Sequence, residues 1–81
     1  MDISQTPLIE RIARVLAGAR LSGNAEGAMM SAGSEVDATW IEHRDEAIAV
    51  LKTMREPDEI MAHAGDAAIW ERMVLAAIDQ A

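Results

Sequence analysis

An all-α fold, a small bundle of three longer helices and one short connecting helix, is predicted by three features of this sequence. Apolar residues recur at three, four and seven spacing along nearly the whole chain. Capping residues and helix breakers stand at each join between the periodic stretches. The chain is also short, 81 residues without a cysteine, so it reads as a single domain over 1–81 that helix packing alone must hold together.

The first helix is predicted near 7–21. Thr6 can cap it, Pro7 suits a first turn where no N–H is needed, and Leu8, Ile12, Val15, Leu16 and Ala19 form its apolar stripe. It stops at SGNAEG, where Gly23, Asn24 and Gly27 favour turns. Residues 22–36 have low helix propensity and are predicted to form a mobile loop, with 22–33 its most mobile part, although Ala25 to Ala32 could make a turn of helix around Met29 and Met30. A second helix is expected near 38–55, capped by Ser34 or Asp37 and carrying Trp40, Ile41, Ala47, Ile48, Leu51 and Met54.

The stretch MREPDEIMAHAG, Met54 to Gly65, gathers three carboxylates and a histidine around a proline. Pro57 pushes Glu56 out of the helical region and suits the start of a short helix near 57–64, in whose first turn Asp58 and Glu59 complement the helix dipole. His63 and Gly65 are helix-ending signals. Asp66 then caps a last helix near 67–79, with Ile69, Trp70, Met73, Val74, Ala77 and Ile78 as its stripe. Trp40 and Trp70 are the only large aromatics, and both are expected to be largely buried. Each is followed by Ala and Ile at the same spacing, which independent selection on amphipathic helices explains without a duplication.

Charge and hydropathy narrow the function classes. The formal net charge is −7. The first 33 residues are balanced, Asp2, Glu10 and Glu26 against Arg11, Arg14 and Arg20, so the excess falls wholly in the second part of the chain. That field repels phosphate backbones, disfavours direct nucleic-acid binding and suits a basic protein partner. The longest apolar run, Met73 to Ile78, is far short of the roughly 18–20 residues of a membrane span. The start MDISQTP lacks a basic region followed by an apolar one, so no leader and a cytoplasmic location are expected.

Motifs that could carry chemistry fail on context. Glu59, His63 and Asp66 could face one ion, but zinc needs three or four donors in tetrahedral array, and the other histidine, His43, would have to arrive from another helix. A solvated Glu–His pair is the expected reading, with no metal and no cofactor. His43-Arg44-Asp45 spells a kinase tripeptide without the Gly-rich loop or the two lobes. Gly18 to Gly23 has phosphate-loop spacing with Asn24 in place of the lysine. Ser31-Ala32-Gly33 is half a nucleophile elbow without its strand. No nucleophile and base can be paired, so no catalytic residue is assigned and an enzyme is not expected.

The run ERIAR at Glu10 to Arg14, the tryptophan opening an acidic helix with AIAVLKTMREP at Ala47 to Pro57, Met61, Ala64-Gly65 and WERMVLAAI at Trp70 to Ile78 resemble small helical proteins common in alphaproteobacterial genomes and prophages. No activity is known for that group. The resemblance implies a helical fold and an accessory-gene context.

The function these readings support is a helical protein–protein interaction module that self-associates as a homodimer. Leu8 beside Ile9, Trp40 beside Ile41, and Met73 beside Val74 and Leu75 are more apolar surface than one small core hides. Met29, Met30, Met54, Met61 and Met73 add adaptable surface. The candidate partner surface comprises Arg11, Arg14, Met29, Met30, Glu42, Asp45 and Glu46, with the arginines of the first helix meeting acids of the second helix in the other subunit. The alternative is an acidic inhibitor or nucleic-acid mimic presenting Glu35, Asp37, Glu42, Asp45, Glu46, Glu56, Asp58 and Glu59 to a basic protein.

Overall fold

The computed structural model describes residues 2–24 and 32–80, and every regular element among them is helical. Three longer helices, α1 (Leu8–Asn24), α3 (Arg44–Met54) and α5 (Ala67–Ile78), form the bundle, and the short α4 (Glu59–Ala64) connects α3 to α5. The eight-residue α2 (Ala32–Thr39) and a 3-10 turn at Trp40–His43 precede α3. Among the described residues no helix is long and apolar enough to cross a membrane.

Helix α1 begins just past Pro7, whose carbonyl accepts the N–H of Arg11 at 3.1 Å. Proline therefore occupies the capping place and not the first turn. Thr6 does not cap; its own N–H donates to Ser4 Oγ at 3.1 Å. The helix continues three residues beyond the expected stop at Leu21, because serine, glycine and asparagine each cost only about 1 kcal/mol or less in a helix.

The expected loop at 22–36 is corrected at both ends: residues 22–24 belong to α1 and residues 32–36 to α2. Residues 25–31, with Met29 and Met30, lie outside the described residues, as does most of the segment expected to be most mobile. The continuous second helix expected over 38–55 is also corrected. Ser34 and Asp37 lie inside α2 and cap nothing, and the chain breaks its α-helical ladder at Thr39. The Thr39 hydroxyl donates to the Glu35 carbonyl at 2.7 Å, a back-bond that competes with regular helix. Thr39 and His43 sit at φ −119°, ψ −9° and φ −101°, ψ 9°, and the 3-10 turn between them packs on α1.

Asp58 caps α4, its carboxylate accepting the Met61 N–H at 2.9 Å, and Asp66 caps α5 in the same way through Ile69 N–H at 3.1 Å. The short helix thus starts after Pro57 and Asp58 and not at Pro57 itself. Gly65 closes α4 with an extended φ of −160°.

The core is thin and built on small side chains. Among the described residues Ile9, Ala13, Ala17, Ala47, Leu51 and Val74 are the buried apolar ones, and Leu51 is the one large side chain of these fully withdrawn from water. The stripe expected on α1 is displaced by one position: Ile9, Ala13 and Ala17 face inward, Leu8, Ile12 and Leu16 are half-buried, and Val15 and Ala19 are exposed. Alanines win the inner face because they let α1 approach the 3-10 turn and α3 closely, where Ala47 is equally buried. Both tryptophans, expected to be largely buried, are partly buried and pack against the core cluster from its edge. The Trp70 indole N–H donates to Met54 O at 2.6 Å, a carbonyl in the last turn of α3, where no helical donor follows.

Gly18 needs no special backbone. An added methyl would meet Val36 Cγ2 at 3.7 Å, an ordinary contact. Gly18→Ala should therefore stabilise the protein by about 0.5–1 kcal/mol through reduced unfolded-state freedom, which urea unfolding at fixed protein concentration would measure; a loss of stability would mean that α1 and α2 pack more tightly than this distance allows.

Candidate interaction surfaces

Of the candidate partner surface, Met29 and Met30 lie outside the described residues, and its charged members fall into two groups. Arg14 Nε donates to Glu10 Oε2 at 2.8 Å, its Nη1 bonds Asp37 Oδ1 on α2, and its guanidinium lies 5.4 Å from the centre of the Trp40 ring. The hydrogen bond to Glu10, then that to Asp37, hold its pKa above the ordinary arginine value. Arg20 Nη2 reaches Glu46 Oε2 at 3.5 Å, and Glu46 Oε1 lies 3.0 Å from Nδ1 of the buried His43. Arg14, Arg20 and Glu46 thus fasten α1 to α2, the turn and α3 within one chain. Arg11, whose Nε donates to Thr6 O at 3.3 Å, has no carboxylate partner among the described residues, and Glu42 and Asp45 are exposed.

Among the described residues, no group of three or more His, Cys, Asp and Glu is arranged to hold a metal ion. The polar contact of the His43 imidazole is Glu46. The arrangement can fix the turn against α1, and its geometry offers no reacting hydroxyl or thiol.

What remains open is apolar. A shallow groove of 330 Å³ between α1 and α3 is lined by Leu8, Arg11, Ile12, Val15, Leu16 and Val50. Val15 is 70% exposed at its rim. With Ala19, the residues Leu8, Ile12 and Val15 follow 4-3-4 spacing, the repeat by which one helix meets another in a coiled-coil seam. Helix α1 therefore has two apolar faces: an inner one of Ile9, Ala13 and Ala17, and an outer one that the chain itself leaves half uncovered.

A second groove, 370 Å³, runs between α4 and α5 and is lined by Pro57, Met61, Ala64, Ile69, Trp70 and Met73, with Asp66 at one side. Every residue from Asp58 to Ile69 is exposed, and among the described residues α4 packs appreciably on no other helix. The sequence reading placed Ile69, Trp70 and Met73 on a core stripe. The missed signal was the weak hold on α4: six residues with Ile60 and Met61 on its surface and only small Ala62 and Ala64 beside them.

No protein-family model, curated protein or solved structure matches the chain.

Proposed function

We propose that the protein is a helical protein–protein interaction module that self-associates through the outer face of α1. The observation that carries this reading is the 4-3-4 seam of Leu8, Ile12, Val15 and Ala19 beside Val50, in which Val15 and Ala19 are exposed and Leu8 and Ile12 only partly covered by the described residues. Charge leaves the same face available: helix α1 has Glu10 against Arg11, Arg14 and Arg20, and like α3 and α5, in each of which acids and bases balance, it carries none of the acidic excess. Glu10 and Arg14 neutralise each other, and the Arg14 and Arg20 ion pairs lie inside the chain, so the contact rests on apolar packing and not on arginines reaching across to the other subunit. The role expected for Arg14 and Arg20 in a partner surface passes to Leu8, Ile12 and Val15.

The reading as an acidic inhibitor or nucleic-acid mimic has less behind it. Asp37 and Glu46 are paired with arginines, and Asp58 is spent on a helix cap, so the carboxylates do not form one free phosphate-like array.

The absence of cysteine makes a direct test simple. Val15→Cys should form an intermolecular disulfide readily under mild oxidation, because residues near a two-fold axis bring their Cβ atoms within about 4 Å. Thr53→Cys, on an exposed part of α3, should cross-link far more slowly. Equal rates for the two variants would contradict the proposed face.

A further inference from the structure

We infer that the groove between α4 and α5 is a second docking site, distinct from the self-association face, and that its occupant is a basic amphipathic helix of another protein. Helix α4 carries the first part of the argument. Six residues are too few for a stable isolated helix, and ordering them costs on the order of 1 kcal/mol or more per residue. Among the described residues the Asp58 cap and the partial cover of Met61 offset only a fraction of that cost: Ile60 is 82% exposed, Met61 43% and Ile69 46%. Met73, 64% exposed, completes an apolar floor on which Trp70 is half-buried. Two methionines beside an aromatic make a surface that adapts to differently shaped apolar side chains.

Charge decides between a second copy and a different partner. Residues 56–80 hold Glu56, Asp58, Glu59, Asp66, Glu71 and Asp79 against Arg72, a formal −5 of the chain's −7. Asp66 lines the groove, and Glu56 and Asp58 flank Pro57 at its end. Arg55, just before Glu56 in the chain, is directed to Glu71 at 3.8 Å. Two copies meeting groove to groove would set these acidic segments against each other within a Debye length of about 8–10 Å. A helix with leucine-like residues at three and four spacing and lysine or arginine on its flanks satisfies the apolar floor and the acidic rim together. Anionic surfaces, nucleic acid included, are repelled by the same field.

The test uses isothermal titration of the intact protein with a synthetic helical peptide of leucines at three and four spacing and lysines elsewhere, beside an analogue with glutamates in place of the lysines. The lysine peptide should bind and the glutamate analogue should bind at least about tenfold more weakly, a difference of about 1.4 kcal/mol. Met61→Ser with Met73→Ser, both at exposed positions, should weaken binding about tenfold or more while circular dichroism stays unchanged. Glu56→Lys with Glu59→Lys should weaken it several-fold and flatten its salt dependence. Val15→Lys should leave it intact, which separates this site from the self-association face. Failure of the folded protein to bind the lysine peptide would overturn the inference, as would equal binding of both peptides or indifference to the methionine changes. Loss of self-association in the Met61→Ser, Met73→Ser protein would overturn it too, by assigning the groove to a second copy.

Discussion

Leu51→Ala should remove a third or more of the protein's stability at 25 °C. Leu51 is 0% exposed and is the one large side chain fully buried among the described residues, packed with Ile9, Ala13, Ala47 and Val74 where α1, α3 and α5 meet. Truncating such a leucine costs about 2–5 kcal/mol, the transfer of its methyl groups plus the cavity left behind. A chain of this length has roughly 4–12 kcal/mol in total, and three of its six buried apolar residues are alanines, which places it toward the lower end. The loss is therefore a third of the stability or more. Val50→Ala, one residue away but 39% exposed, should cost about 1 kcal/mol or less. Urea unfolding followed by circular dichroism, at one protein concentration because association also stabilises, separates the two. Similar midpoints for both variants would mean that the core does not centre on Leu51.

Val15→Lys should turn the associated protein into a monomer without unfolding it. The side chain is 70% exposed, so the lysine stays solvated in a single chain and keeps good helix propensity. Between two α1 helices the same ammonium would be buried twice, once from each copy, beside Arg11 and with no carboxylate in reach. A weakening of at least about a hundredfold, or 2.8 kcal/mol, is expected. Ile60→Lys, at a position still more exposed but on α4, should leave the mass unchanged.

The helical class, the cap at Asp66 and the position of α5 were legible because each depends on local chemistry: a carboxylate three residues before a free N–H acts the same way in any fold. The cap at Asp58 was not, because Pro57 suits a first helical turn equally well and so places Asp58 inside the helix. The break at Thr39 was less so. A threonine hydroxyl can point to water or back to the helix, and only the packing of Trp40 and His43 on α1 selects the second. The face of α1 was misassigned for a related reason. Apolar size points to Leu8, Ile12 and Val15, whereas close helix approach rewards Ala13 and Ala17, and the choice depends on a neighbour distant in sequence. That misassignment is itself informative, since large apolar residues at seam spacing outside the core are what a second helix would cover. The pairing of Arg14 with Asp37 and of Arg20 with Glu46 was illegible for the same reason, being a matter of how the chain folds back on α1. The α4–α5 groove emerged only when α4 proved to have no packing partner among the described residues.

Sedimentation equilibrium of the unaltered protein at tens of micromolar tests the central claim, that the outer face of α1 joins two copies. The predicted result is a mass near twice the 8.7 kDa chain, falling to a single chain in Val15→Lys and little changed by added salt, since the seam is apolar. A folded monomer at that concentration, or a dimer that persists in Val15→Lys, would contradict it.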